Sequence, residues 1–346
     1  MNEVEIDISI VIVNYKTPDL TRACVESIME NCSGINVELI VVDNNSQDES
    51  EGLITNLFPG LIWINTGYNA GFSRANNVGI NNASGKYILL LNSDTTINSD
   101  TLPNTLRDYQ NLEKTGQKIG FLGCQLIDLN GNIQHNSRPK IRNIEKIVVA
   151  HPLVILISRI FSVKPEDKEK THKEMDELHK IFHETEWLGG TYLFYNRKIS
   201  YELGQFLDED FFMYGEDTEW SLRLRRLGFK HFFTPNASII HAEGGSFKIK
   251  ASKWVQISVS EWLFIMKYYG KFTYFFIALF NLTGLQLDNF FIKRAIKKKS
   301  DVANYELVED YELRKQVIVL LKKYFFKILF SFNRKTSSSK DYLKVF

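Results

Sequence analysis

The sequence predicts an α/β protein with a Rossmann-like, mostly parallel mixed sheet flanked by helices, followed by a helical C-terminal appendage. Three observations carry this prediction. Short apolar runs rich in β-branched residues recur through the first 92 residues, most are followed by a helix-opening pattern, and all end abruptly in Asn or Asp. Runs of four to eight apolar residues with polar ends read as strands buried on both faces, as in a parallel sheet. Ligands of open α/β sheets bind outside the carboxyl ends of such strands. The clearest case is Tyr87 to Ile97, where Tyr-Ile-Leu-Leu-Leu gives way to Asn92, Ser93 and Asp94. A carboxylate in that position suits a hard divalent cation holding phosphates, although Asp is also a common turn residue.

In chain order, Ile8 to Val13 is the first strand and ends at Asn14-Tyr15; Thr17-Pro18-Asp19 then opens a helix with a cap and a first-turn proline. Val37 to Val42 is the second, ending in Asp43-Asn44-Asn45, with Ser46 to Glu49 at capping-box spacing for a helix. Leu61 to Ile64 ends at Asn65, after which Gly67 to Phe72 permits a tight loop into a helix bearing Arg74, Asn76 and Asn77. Tyr87 to Leu91 is the fourth strand. Four strands thus deliver hydrogen-bonding residues to one sheet edge, a pattern that points to ligand binding. Ile119 to Leu126 is a further strand, and Asp128 to Asn132 reads as a hairpin turn at which the sheet becomes mixed. An apolar helix-like segment, 144 to 161, leads into a charged run up to Lys180 that reads as solvated. Gly189-Gly190-Thr191 precedes the strand-like Tyr192 to Tyr195. Glu216-Asp217 opens a helix with Trp220, Leu224 and Leu227 on one face and Gly228 at its end, and Ala237 to Ile240 runs strand-like into His241.

Net charge is only +1, but it is unevenly placed: from Ala251 onward there are 17 Lys and Arg against 8 acids, and before it 25 against 33. Such asymmetry suggests a basic tail drawn to an anionic partner, nucleic acid or membrane. Apolar Phe272 to Leu287 and Tyr311 to Phe332, interleaved with or followed by lysines, favour a membrane surface through interfacial helices; no nucleic acid is expected. A 16-residue stretch falls short of the roughly 20 a spanning helix needs. Packing of the two helices together, or a homo-oligomer contact, is the alternative. Three cysteines without metal spacing fit a reducing, cytoplasmic setting, and no basic leader precedes the first apolar run. Neither G-x-G-x-x-G nor G-x-x-x-x-G-K follows any strand, so neither a dinucleotide-binding oxidoreductase nor a P-loop enzyme is supported.

Ile-Val-Asn-Tyr at 12 to 15, Val-Val-Asp-Asn-Asn-Ser at 41 to 46, Asn69-x-Gly71-Phe72 with Asn77 and Gly79, Leu-Asn-Ser-Asp at 91 to 94, Trp187 to Gly190, and Gly215-Glu216-Asp217 with Arg223 recur as a set. With them the chain resembles a nucleotide-sugar glycosyltransferase of family 2, GT-A fold, close to the rhamnosyltransferase-like branch. The resemblance spans about residues 8 to 245. It implies a catalytic domain over 1–250, with a nucleotide-binding half in 1–128 and an acceptor half in 187–250, and a helical basic tail over 251–346. It further implies an inverting, metal-dependent transfer of a sugar from dTDP-rhamnose or a UDP-sugar to a lipid-linked or polysaccharide acceptor, at the cytoplasmic face of the membrane. On this resemblance Asp217, with Glu216 as its neighbour, is the catalytic base. Asn14, Tyr15, Asp43, Asn69, Gly71, Arg74, Asn77, Asn92, Ser93, Gly189 and Gly190 hold the donor, with Asp43 accepting the N3 proton of a pyrimidine. Asp94 and His241 hold Mn2+ or Mg2+. The motif is often Asp-x-Asp, and its first acid is here Asn92. A nucleotidyltransferase, which needs an Arg-containing glycine-rich loop after its first strand, and a non-catalytic glycan-binding protein are the rival readings.

Overall fold

The computed structural model describes residues 5–140, 168–242, 250–298 and 304–331. The apolar segment 144–161, the Glu243–Ser246 motif and the chain after 331 lie outside them. The described residues fall into two compact units: 5–140, 168–209 and 216–242 form the first; 210–215, 250–298 and 304–331 form the second.

The first unit is an α/β sandwich. Its elements are β1 (Ile8–Asn14), α1 (Pro18–Asn31), β2 (Val37–Asp43), α2 (Ser50–Leu57), β3 (Ile62–Asn65), α3 (Gly71–Asn82), β4 (Tyr87–Asn92), β5 (Thr95–Ile97), α4 (Thr101–Glu113), β6 (Ile119–Ile127), β7 (Ile133–Gln134), β8 (Ser137–Arg138), α5 (Lys168–Leu178), β9 (His183–Thr185), β10 (Trp187–Leu188), β11 (Tyr192–Asn196), α6 (Lys198–Tyr201), α7 (Glu216–Arg226) and β12 (Lys230–His241). The main sheet runs β3-β2-β1-β4-β11-β6-β12-β5. Its first four strands are parallel, as the sequence predicts.

The continuous apolar runs are explained by burial on both faces. Ile8, Ile10, Ile12, Leu89 and Leu91 face one core with α1 and α4, while Val11, Ile88 and Leu90 face another with α3. Alternate residues therefore serve opposite layers. Gly79 shows how closely α3 lies on the sheet, since a Cβ there would collide with the Val11 side chain.

The mixed character of the sheet arises from β11, which inserts antiparallel between β4 and β6. Because it runs the other way, its start lies beside the end of β4, with Tyr192 opposite Leu91. The short β5 was not foreseen; it pairs antiparallel with β12, with Thr95 opposite His241. Two local expectations are corrected. Helix α2 begins at Ser50 with Glu49 as its cap, because the Ser46 hydroxyl is engaged elsewhere. Leu227 does not share the buried face of α7: it is 46% exposed, whereas Trp220 and Leu224 are fully buried.

The second unit contains α8 (Lys250–Lys298), interrupted at Gly270 where φ is 84°, and α9 (Asn304–Ser331). Val259, Trp262, Tyr274, Leu321, Phe325 and Ile328 form a core of its own. Here too the sequence count is corrected, because the span Ala251–Ile296 is long and apolar enough, by length and composition, to cross a membrane. Phe272 (82% exposed), Phe276 and Phe330 face outward, with Lys322 and Lys323 also exposed.

Candidate active site

The carboxyl edge of the parallel strands carries the predicted residues in register, with Asn14 opposite Asp43 and Asp43 opposite Asn65. Asp43 is only 3% exposed. Its Oδ1 accepts from the Asn14 amide (2.8 Å) and the Ser46 hydroxyl (2.5 Å); its Oδ2 accepts from the Ser46 backbone N–H (3.0 Å) and the Asn65 amide (3.1 Å). A carboxylate offers about four acceptor positions, so this one is fully used. Accepting a pyrimidine N3 proton requires Asn65 or Ser46 to yield. Asp43→Ala leaves three buried donors, one from Asn14 and two from Ser46, without this acceptor, and urea unfolding should show a stability loss of about 3 kcal/mol.

Asn14, expected among the donor-holding residues, turns inward. It is completely buried, with its amide on Asp43 and Ser46 and its Oδ1 accepting from Thr21 (2.7 Å) and Thr17 (3.3 Å). Asn77 is likewise internal: its amide donates to the Leu207 carbonyl and Glu209, and its Oδ1 takes the Leu207 N–H. Both position the edge and do not line it. Asn44, which the sequence reading passed over, pins the 67–71 loop by accepting the Ala70 N–H and donating to the Gly71 carbonyl. Asn69 caps the same loop through the Gly71 N–H. Left-handed backbone at Lys16, Asn45 and Gln47 (φ 57°, 58° and 56°) surrounds this edge, where strain of that kind marks functional loops. Tyr15, Arg74, Asn92 and Ser93 are half-buried around it.

The antiparallel strands complete the site. Thr191 accepts the Asn92 N–H (3.0 Å), and next to it the Gly190 N–H donates to Asp217 Oδ2 (3.2 Å). The other Asp217 oxygen accepts from the Thr218 N–H at 2.6 Å. Gly189, expected among the donor-holding residues, is buried with its N–H on the Asn136 carbonyl. Gly190 is needed for its close packing, since a Cβ would press on the Phe72 ring at 3.3 Å. Gly190 places the carboxylate through its N–H.

Burial pushes the Asp217 carboxyl above its ordinary value, against the lowering effect of N–H groups from Thr218 and Gly190. Glu216 is 5% exposed and one of its oxygens has no hydrogen-bond partner among the described residues. Burial first, and the Asp217 charge second, push it well above the carboxylate range. Its side chain is buried, whereas Asp217 is half-buried, which makes Asp217 the more accessible of the two acids.

Beside β5, His241 Nε2 lies 3.4 Å from Asp94 Oδ1. Gln134 fixes the histidine tautomer: its amide nitrogen donates to the His241 carbonyl (3.3 Å), so its oxygen faces Nδ1 at 2.7 Å. In the neutral ring the Nδ1 proton is used there, and an Nε2 lone pair faces a carboxylate oxygen. Two acceptors so placed fit a shared cation, and an imidazole with a carboxylate suits a divalent metal.

The glycosyl transferase family 2 profile matches residues 9–204, which include this edge. The chain belongs to that family. Among curated family relatives, the O-antigen biosynthesis protein RfbC of Myxococcus xanthus is 26% identical over 253 residues, 70% of this chain and 18% of that protein. The low-salt glycan biosynthesis hexosyltransferase Agl10 of Haloferax volcanii is 25% identical over 64% of this chain and 62% of its own. The chain spans less than two thirds of the length of either. The mannosyltransferase PcManGT of Pyrobaculum calidifontis, solved with GDP-Man and Mn2+, shares the fold with a TM-score of 0.51 at 13% identity, covering 96% of this chain and 89% of its own. The family 2 glycosyltransferase fold is the GT-A type expected from the sequence.

Proposed function

We propose that this chain is an inverting glycosyltransferase that moves a sugar from a nucleotide diphosphate, dTDP-rhamnose or a UDP-sugar, to a hydroxyl of a lipid-linked or growing cell-surface glycan. The observation that carries the reading is the convergence, through Gly190-Thr191, of a half-buried Asp217 carboxylate and the end of β4 leading to Asp94 and His241. Asp217 Oδ2 accepts one hydrogen bond and keeps a lone pair for the acceptor hydroxyl, whose proton it takes as that oxygen attacks the anomeric carbon. Asp94 and His241 would hold Mn2+ or Mg2+, which neutralises charge on the leaving diphosphate. A single base serves single displacement, whereas glycoside hydrolysis requires two carboxylates across the bond; the second acid here, Glu216, is buried. The names of RfbC and Agl10 support a glycan biosynthetic role.

The test is a panel of nucleotide sugars with Mn2+ or Mg2+, read by nucleotide release and by the anomeric configuration of the product. Retention of configuration would refute the mechanism. Absence of transfer and donor hydrolysis across the panel, with glycan binding intact, favours the non-catalytic reading.

The outward Phe272, Phe276 and Phe330 with exposed Lys322 and Lys323 support attachment at the cytoplasmic face of the membrane. Full-length chain should sediment with anionic vesicles, more strongly at low salt, and a Phe272→Ser, Phe276→Ser, Phe330→Ser variant should stay in solution. Parent protein that ignores vesicles but elutes as a dimer assigns the face to a second copy.

A further inference from the structure

We propose that His135, His172 and Asp176 form a second metal site, for a divalent cation of the zinc type, distinct from the Asp94–His241 pair and independent of the proposed reaction. Their donor atoms all lie within 4.8 Å of one another. His172 and Asp176 stand one turn apart on α5, where residues at i and i+4 share a face. His135 comes from the segment between β7 and β8: its Nε2 is 2.7 Å from Asp176 Oδ1 and its ring is 4.7 Å from that of His172. A tetrahedral ion with bonds of about 2.1 Å spaces its ligands about 3.4 Å apart. His172 is exposed, so rotation of its side chain closes the remaining gap. Two imidazoles and one carboxylate with a fourth position for water make a borderline donor set that favours zinc over magnesium or calcium.

Two neighbouring histidines show by contrast which side chains are available. His179 is fully buried, donates Nδ1–H to the Met175 carbonyl (2.8 Å) and accepts the Ser137 N–H at Nε2 (3.3 Å). His183 donates to the Ile181 carbonyl (2.9 Å) and accepts the Ser137 hydroxyl (3.1 Å). Both are structural, with every ring nitrogen used.

Helix α5 also needs an anchor. Its sequence, Lys-Glu-Lys-Thr-His-Lys-Glu-Met-Asp-Glu-Leu, has no apolar stripe, and none of residues 170–178 is buried. A helix polar all round is held by something other than core packing. A cation shared with His135 supplies a fastening, and it does so beside the active site. The preceding residue, Gln134, holds His241, and the following one, Asn136, holds Gly189. Metal bound here stiffens the strand that carries both contacts.

The test uses full-length protein stripped with a chelator and titrated with Zn2+ alone, or with Co2+ for its visible spectrum, in an Asp94→Ala background that removes the other site. This protein should bind one equivalent of Zn2+ and melt at a higher temperature with it. Adding His172→Ala should weaken binding at least tenfold and abolish the melting shift, with an unchanged far-ultraviolet circular dichroism spectrum because His172 is exposed. Asp176→Asn should behave alike. The proposal is overturned if the Asp94→Ala protein binds no Zn2+, or if the His172→Ala and Asp176→Asn variants bind it as tightly as their parent.

Discussion

Asp217→Asn should reduce turnover by at least a hundredfold while leaving donor affinity near that of the parent. General-base contributions are typically about a hundred- to ten-thousand-fold, and donor binding does not call on this carboxylate in the proposed geometry. Asparagine keeps the size of the side chain and can still accept at one oxygen from Gly190 or Thr218, so the fold should survive. The pH profile adds a second readout. A base works only when deprotonated, and burial raises the Asp217 carboxyl above its ordinary value. Activity should therefore rise with pH through that raised value, with the acid limb of kcat above the ordinary aspartate value. Glu216→Gln is the internal comparison. Its side chain is buried, so turnover should change less than about tenfold. Loss of activity in Glu216→Gln but not in Asp217→Asn would assign the base to the wrong acid.

Asp94→Ala should remove the response to Mn2+ or Mg2+ and lower turnover by about a hundredfold or more. Metal stabilisation of a leaving phosphate contributes several kcal/mol, and about 2.7 kcal/mol is already a hundredfold. With Asn92 in the other position of the motif, Asp94 is the one carboxylate that the motif would offer a metal. The backbone link from Ala242 to the Asp94 carbonyl does not involve the side chain, so β5 and β12 should stay paired. His241→Ala should have a smaller effect of the same kind, because a neutral ligand is lost and not a charge. Wild-type stimulation by metal in Asp94→Ala protein would refute the assignment.

Much of this was legible in the sequence for a physical reason. Strands buried on both faces leave continuous apolar runs, and their polar ends mark the ligand edge, so β1, β2 and β4 emerged within a residue or so of their observed limits. The roles at that edge were less legible. Sequence shows that Asn14, Asp43 and Asn77 are polar near a site, but not that each has spent its hydrogen bonds internally. Asn44 joins residues 26 and 27 positions away, and no local pattern reports such a partner. Strand β5 is only three residues long, too short for a periodicity. The His135 cluster joins residues about forty positions apart, with only the His172–Asp176 spacing as a signal.

The insertion of β11 between β4 and β6 has a bearing on how the chain acquires activity during synthesis. When residue 92 has emerged, β1, β2, β3 and β4 can already pair, yet the outer side of β4 is an open strand edge until Tyr192 arrives. Open edges of this kind invite pairing with other chains, and contacts so distant in sequence are slow to form. The carboxyl edge of the parallel strands is thus an early structure, but Asp217 arrives with α7 and His241 with the last strand. On the proposed function, a nascent or truncated chain would recognise before it could react, and activity would wait for the strands that close the sheet.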